Sequence, residues 1–286
     1  MPTFIDESGV SITYYVWAVE RPRGIVQISH GLGEYATRYE QLARELNDAG
    51  YSVYANDHRG HGQTGLEQYN GDHSQLGRLG PGGLRATIAG IRQFTDLIRS
   101  KNPGMPIVLL AQSWGSLMAQ KVINRSSAGY AGVVLVGTAY RMPGSMDGGD
   151  LSRRHRPPGG GGHGYEWLSR DVEVQTAAAA DELMFEAKVL KLFGLRDGLR
   201  LFGKPATSFA TDIPILILAG SDDILGGERS VLKLADAYRH RGQLHDVTVK
   251  IYPDARHEVL RETNRDEVVA DLIAWLDHRL VSPAPR

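Results

Sequence analysis

Short apolar segments alternate with longer amphipathic segments along most of the chain. Near-continuous runs of Val, Ile and Leu are typical of strands that helices cover on both faces. Six such strands are predicted: Gly24–Ser29, Tyr51–Ala55, Ile107–Ala111, Gly132–Val136, Ile215–Ala219 and Val247–Ile251. Two earlier segments, Thr3–Asp6 and Ser11–Trp17, alternate between apolar and polar residues and predict an antiparallel hairpin around Ser8–Gly9.

Between these segments, apolar residues recur with a helical period. In the longest example, Leu84–Ser100, the apolar residues fall on one face. The other predicted helices of this kind are Tyr39–Asp48, Val231–His240 and Glu267–His278. Repeated strand–helix units predict an α/β fold, in which helices cover both faces of a mostly parallel central sheet.

The alternation is interrupted between about Thr138 and Phe209. This region contains a basic, Gly-rich stretch (residues 153–164), predicted to be a mobile surface loop, and then helix-like segments at Val172–Leu192 and Asp197–Phe202. We interpret it as an insertion over one end of the sheet, without a separate core. The chain then divides into a first core part (residues 1–138), the insertion (139–210) and a second core part (211–286).

Composition narrows the classes of function. Of the 286 residues, 42% are hydrophobic and 23% are charged, which is typical of a globular protein with a buried core. The net charge of -1 argues against nucleic acid as a partner and favours a small, roughly neutral ligand. The chain has no cysteine, which excludes disulfides, thiolate metal sites and a cysteine nucleophile.

The same features predict the location of the protein. Residues 1–10 lack a signal-peptide pattern, and no apolar stretch is long enough to span a bilayer. We therefore expect a cytoplasmic protein without integral membrane association. The composition of the insertion gives little indication of an apolar outer surface that would contact a membrane.

The segment Ile107–Met118 carries the strongest chemical signal. A predicted buried strand runs directly into Ala111-Gln112-Ser113-Trp114-Gly115, and an amphipathic helix follows. A serine with small residues two positions to either side is typical of a nucleophile elbow, a tight strand-to-helix turn. Ala111 stands where glycine is more frequent, and a serine that caps a helix is the alternative interpretation. The strand before Ser113 and the helix after it favour the nucleophile.

A serine nucleophile needs a base, and the base needs an orienting acid. Behind such an elbow the chain order is serine, acid, histidine. His257 lies in the loop after the last predicted strand and is the predicted base. Three further histidines of the second half lie in or beside predicted helices and are expected to face solvent: His240, His245 and His278.

The acid is expected just after the strand Ile215–Ala219. This strand ends in Gly220-Ser221-Asp222-Asp223, so either aspartate could be the acid, and the other is expected to be a turn or cap residue.

Two backbone N–H groups should stabilise the oxyanion. Trp114, directly after the nucleophile, is the first predicted donor. Leu32 is the second, because it lies in the loop Ser29–Glu34 after an early strand, where glycines let the backbone approach a substrate closely. His30 in this loop is expected to be structural. His58 and His61 invite a metal hypothesis, but no carboxylate–histidine set has zinc-protease spacing, so we expect neither metal nor cofactor.

Five segments, spread along the chain from residue 30 to residue 268, form a combination more specific than any single motif. They are HGLGEYATRYEQLARELNDAGYSVYANDHRGHGQTG (His30–Gly65), AQSWGSLMAQ (Ala111–Gln120), WLSRD (Trp167–Asp171), AGSDDILGG (Ala219–Gly227) and YPDARHEVLRETNRDEV (Tyr252–Val268). This combination resembles the monoacylglycerol lipase/lysophospholipase-like branch of the α/β-hydrolase superfamily, grouped with serine aminopeptidase-type sequences.

The resemblance implies an α/β-hydrolase fold and a triad of Ser113, Asp223 and His257. Asp223 is preferred over Asp222 because the family pattern G-x-x-D-P-V aligns with the segment Gly220–Leu225. It also implies that the insertion is a cap that shapes an acyl or alcohol pocket. The sequence departs from the family pattern at Ala111, Trp114, Ser221, Ile224 and the Gly-rich part of the insertion.

The expected activity is hydrolysis of a small or lipid-like carboxylic monoester through an acyl-enzyme, with activity falling as the pH drops through the pKa of His257. Hydrolysis of an amide, thioester or carbon–carbon bond by the same triad is one alternative. A non-catalytic ligand-binding protein is another. Acyl-chain length, alcohol group and oligomeric state are left open by the sequence.

Overall fold

The computed structural model describes residues 1–147, 149–159 and 161–280, which form eight strands and eight α-helices. The strands are β1 (Thr3–Ile5), β2 (Ser11–Trp17), β3 (Gly24–Ser29), β4 (Tyr51–Asn56), β5 (Ile107–Gln112), β6 (Gly132–Val136), β7 (Ile215–Gly220) and β8 (Val247–Tyr252). The helices are α1 (Glu40–Asp48), α2 (Gly62–Gln68), α3 (Gly83–Lys101), α4 (Trp114–Ile123), α5 (Val172–Ala180), α6 (Val189–Arg200), α7 (Gly227–Asp236) and α8 (Arg265–Leu280).

All eight strands join one sheet in the order β1-β2-β4-β3-β5-β6-β7-β8. The predicted hairpin is present, with Phe4 opposite Ile12 in antiparallel register. Strand β2 is also antiparallel to β4, whereas β3 to β8 pair in parallel. The predicted α/β architecture with a mostly parallel sheet is confirmed.

Two apolar layers cover the two faces of the sheet. Because successive strand residues point to opposite faces, Leu109 packs in the layer that includes Phe94 of α3, and Leu110 packs in the other layer with Leu272 of α8. Every residue of β3, β5, β6 and β7 is buried, as expected for parallel strands with helices on both sides.

One local prediction is wrong: the helix-like segment Val172–Leu192 is broken into α5 and α6. Asp181 ends α5, because its carboxylate accepts a hydrogen bond from the Leu183 N–H (2.9 Å) and from the Tyr35 hydroxyl (2.6 Å). Helix α2 lies in a segment for which no element was predicted. There Gly65 packs so closely on the backbone of Gly60 that a side chain would not fit.

The insertion leaves the core after β6 and returns before β7, so it lies over the carboxyl edge of the parallel strands. Its outer surface is more apolar than the sequence indicated, because α5 and α6 expose Val172, Leu190, Leu195 and Leu199. In the part of the chain that the structure describes, no helix is long and apolar enough to cross a membrane. Gly148 and Gly160 of the predicted insertion and residues 281–286 of the second core part lie outside the described residues.

Candidate active site

The turn between β5 and α4 holds Ser113 in a backbone conformation that few side chains adopt. Its φ of 53° and ψ of -123° lie outside the helical and strand regions, and such strain concentrates at functional sites. The Ser113 N–H donates to the Val136 carbonyl of the neighbouring strand (2.9 Å). Gly115 has to be glycine, because a Cβ there would lie 2.3 Å from the Ser29 carbonyl oxygen. Ala111 is fully buried in β5.

The structure brings Ser113, His257 and Asp223 into one hydrogen-bonded chain. The His257 Nε2 lies 2.7 Å from the Ser113 Oγ, and its Nδ1 lies 2.9 Å from the Asp223 Oδ1. Both the imidazole and the carboxylate are almost completely buried. With Nδ1–H donating to Asp223, the Nε2 lone pair faces the serine hydroxyl, which is the tautomer that a general base requires.

The electrostatics of His257 suit a base. Burial is the largest single effect and lowers the pKa of the imidazole, but the charge and hydrogen bond of Asp223, together with Glu258 and Glu34, outweigh it. The pKa is therefore raised from its ordinary value of 6.5, and the imidazolium form is stabilised.

Asp222 lies in a different environment from its neighbour. Its carboxylate forms an ion pair with Arg154 (2.7 Å) and lies 3.6 Å from the His155 Nε2, so it faces the basic stretch of the insertion. Asp222 is a turn residue, as predicted for the second aspartate, because it lies in the turn that the Asp223 N–H closes on the Gly220 carbonyl (3.3 Å). The Asp223 Oδ1 also accepts the Leu225 N–H (2.9 Å).

The two predicted oxyanion donors both flank Ser113. Trp114 is the first residue of α4, where a backbone N–H has no partner within the helix. Leu32 lies with Gly31 and Ser113 in the lining of one cavity. Within the described parts of the chain, neither the Leu32 nor the Trp114 N–H donates a hydrogen bond, so both groups are available to a ligand.

Sequence reasoning missed Glu34, which holds the loop that carries Leu32. One oxygen of the buried Glu34 carboxylate accepts the Gly31 N–H (2.6 Å) and the Tyr39 hydroxyl (2.8 Å). The other oxygen lies 3.6 Å from Arg38 and 3.5 Å from Arg261. A Glu three residues after a Gly in a turn was the available signal, since a carboxylate there can reach back to the backbone.

The sequence model of the protein family described as serine aminopeptidase, S33, matches residues 20–264. The match covers well over half of the 286 residues. The chain belongs to this family.

Relatives of similar sequence and similar solved structures match nearly the whole chain. The monoacylglycerol lipase of Mycolicibacterium smegmatis is 29% identical, over 96% of this chain and 95% of the relative. The monoglyceride lipase of Mus musculus is 25% identical, over 99% and 92%. The structure of a thermostable carboxyl esterase from Bacillus coagulans matches with a TM-score of 0.82 at 24% identity, over 98% of both chains. The predicted resemblance and the α/β-hydrolase fold are confirmed.

The insertion encloses the candidate nucleophile of this family member. A cavity of about 20 Å³ lies against Ser113 and His257, which is room for about one water molecule. The insertion residues that line it are Tyr165, Trp167, Leu168, Met184, Phe185 and Ala187. The Trp167 ring lies 4.9 Å from the His257 ring, centroid to centroid, and the Phe185 N–H donates to the Gly33 carbonyl (3.2 Å).

His30, His58 and His61 form a buried cluster behind this site. The His30 Nε2 accepts the backbone N–H of His58 (2.9 Å), and the His58 Nε2 hydrogen-bonds the Ser29 hydroxyl (3.0 Å). These bonds connect the segments that follow β3 and β4. Burial lowers the pKa of His58 to about 3 and that of His61 to about 4. Among the described residues, no group of three or more histidines and carboxylates is arranged to hold a metal ion.

Proposed function

We propose that this chain hydrolyses carboxylic esters of the monoacylglycerol type through an acyl-enzyme on Ser113. The observation that carries the proposal is the chain of hydrogen bonds from Asp223 through His257 to the Ser113 hydroxyl. Three buried or half-buried polar groups in this order have one evident purpose, because serine is a weak nucleophile without a base. A ligand-binding protein without turnover has no need of all three.

In the first half-reaction, the His257 Nε2 takes the Ser113 proton while the Oγ attacks the ester carbonyl carbon. The carbonyl oxygen becomes negative and accepts hydrogen bonds from the Leu32 and Trp114 N–H groups. Asp223 holds the imidazolium. The tetrahedral species then breaks its bond to the alcohol oxygen, and His257 returns the proton to that leaving alcohol.

In the second half-reaction, water loses a proton to His257 and attacks the acyl carbon. The bond to Ser113 breaks, the serine regains a proton, and the carboxylic acid leaves. Because His257 acts only when neutral and its pKa is raised, activity should begin to fall at a higher pH than for an ordinary histidine.

The substrate class is supported by the relatives named monoacylglycerol lipase and monoglyceride lipase. The family description also names an aminopeptidase, whose substrate carries a protonated amine. Glu34 and Glu258 are the carboxylates nearest the cavity, but both are occupied by Arg38 and Arg261. Because the described residues of the lining include no other carboxylate that could bind an amine, the lining favours an uncharged ester.

The insertion would act as a cap. A cavity of about 20 Å³ cannot hold a monoacylglycerol, so the contact of Phe185 with Gly33 has to open for the substrate to enter. The exposed leucines of α6 (Leu190, Leu195 and Leu199) would offer apolar surface to a lipid aggregate beside the opening. A cytoplasmic location remains the prediction from the sequence.

The decisive experiment compares Ser113→Ala with Ser126→Ala, which changes an exposed serine just beyond α4. Hydrolysis of p-nitrophenyl butyrate and of a monoacylglycerol should fall by at least about 10⁴-fold in the first variant and stay unchanged in the second. A fluorophosphonate should label the wild type at Ser113 only. Normal turnover by Ser113→Ala would overturn the proposal, and absence of labelling in the wild type would favour a binding protein.

A further inference from the structure

A groove of about 570 Å³ lies between α3, α4 and the end of α6. It shares no lining residue with the cavity at Ser113. Five of its lining residues are basic: Arg85, Arg92, Lys121, Arg125 and Arg200. Among the described residues, Glu7 is the one carboxylate of the lining. The chain as a whole carries a net charge of -1, so this concentration of positive charge is local.

Three of these cations have no counter-charge among the described residues. In the portion of the chain that the structure describes, the guanidinium groups of Arg85, Arg92 and Arg125 form neither an ion pair nor a hydrogen bond. Elsewhere on the surface, by contrast, Arg44 pairs with Glu40 (2.7 Å). The remaining two cations are fixed at the wall of the groove, since Arg200 pairs with Asp197 and the Lys121 Nζ donates to the Phe202 carbonyl.

The cations at the wall of the groove repel one another. Lys121 lies in the last turn of α4 and is half-buried, and Arg125 lies two residues beyond the end of this helix. Burial of Lys121, together with the charges of Arg141 and Arg125, lowers its pKa to about 8. An anion in the groove would offset this repulsion.

We propose that this groove is a binding site for a small phosphate-bearing molecule. Guanidinium groups present paired N–H donors that match phosphate oxygens, and several cations around one ligand favour a dianion over a single carboxylate. The volume lies within the range of small-molecule sites, about 300–1,000 Å³. None of the exposed large apolar side chains in the described residues lines the groove, which argues for a water-borne ligand over a membrane surface.

The test measures binding of inorganic phosphate to the full chain by calorimetry and by the rise of its unfolding temperature, at constant ionic strength set with chloride. The variant Arg85→Gln/Arg92→Gln/Arg125→Gln removes the unpaired charges. A control with the same change of charge, Arg21→Gln/Arg153→Gln/Arg229→Gln, alters exposed arginines outside the groove. The unfolding temperature without phosphate reports whether each variant folds. If the triple groove variant does not fold, the single variant Arg92→Gln replaces it.

We expect saturable binding by the wild type and the control, weakened at least about tenfold by the groove variant. No saturable binding by the wild type, or equal weakening in both variants, would overturn the proposal. So would a groove variant that loses affinity for vesicles of phosphatidylcholine and phosphatidic acid while its affinity for phosphate is unchanged. The readout is independent of ester hydrolysis, so failure here leaves the proposed function untouched.

Discussion

The site on the sheet and the insertion above it are held by different kinds of contact. Ser113, Asp223 and His257 each lie within five residues of the end of a parallel strand, so the buried sheet fixes their positions. The insertion has a small apolar cluster of its own, in which the described residues Trp167, Leu168 and Ala178 are buried, and polar contacts such as the Arg170–Glu262 ion pair (3.1 Å) join it to the core. In the proposed function, the sheet therefore positions the reacting groups, and the insertion controls access of the substrate to them.

Asp223 and Asp222 give the sharpest test of this division, because adjacent residues face the two regions. Asp223→Asn should lower kcat by about 10⁴-fold, since an amide can neither hold the required tautomer of His257 nor stabilise the imidazolium. Asp222→Asn removes an exposed ion pair with Arg154 and should change kcat by less than about threefold. Both are measured on p-nitrophenyl butyrate. Equal losses in the two variants would contradict the assignment.

Glu34 tests whether the core also fixes the oxyanion loop. Glu34→Ala removes the acceptor of the Gly31 N–H and should lower kcat by about 10²-fold with little change in KM, because the loop presents Leu32 to the transition state. Glu34→Gln keeps an acceptor oxygen and should recover most of the lost activity. If KM rose while kcat stayed constant, Glu34 would serve substrate binding instead.

The parts predicted from the sequence are those whose signals are local. The strands and the elbow at Ser113 could be read from apolar runs and small residues, because a buried parallel strand and a tight turn each restrict their own residues. The loop position of His257 followed from the last strand. Choosing Asp223 over Asp222 needed the family resemblance, since both residues follow the same strand and only tertiary contacts distinguish them.

The parts that failed depend on contacts between distant residues. The break between α5 and α6 involves Asp181, which bonds Leu183 locally and also Tyr35, 146 residues earlier in the chain, and no local pattern contains that second partner. Glu34 was missed because its role depends on Arg38 and Arg261 as well as on its own turn. His30 was expected to be structural, but its burial in one cluster with His58 and His61 depends on the packed fold and was not predicted.

The buried His61 makes the stability of the core depend on pH in acid, and this dependence can be measured. Burial lowers its pKa to about 4 in the folded protein, against 6.5 ordinarily, so between these pH values the unfolded chain binds a proton that the folded chain does not. As the pH is lowered through this range, protonation of His61 in the unfolded chain therefore decreases the free energy of unfolding by up to about 1.4 kcal/mol per pH unit. In His61→Phe the dependence should be shallower by that amount, measured by urea unfolding at pH 7, 6 and 5. An equal offset at every pH would point to packing alone.

The smallest expected effect belongs to the outer surface of the insertion. Leu195 and Leu199 are 67% and 56% exposed on α6, in the insertion that we propose to act as a cap over Ser113. Leu195→Ser/Leu199→Ser should lower hydrolysis of an emulsified monoacylglycerol about threefold, because less apolar surface meets the lipid. Hydrolysis of soluble p-nitrophenyl butyrate should stay constant, since the triad is untouched.

Leu232→Ser provides the matched control for this last comparison. Leu232 is also exposed, but it lies on α7, outside the insertion. If it lowered hydrolysis of the emulsion as much as the α6 variant does, general surface hydrophobicity would explain the effect. If the α6 variant lost activity on both substrates equally, those leucines would be needed for the reaction at Ser113 itself. The insertion would then not act on substrate access alone.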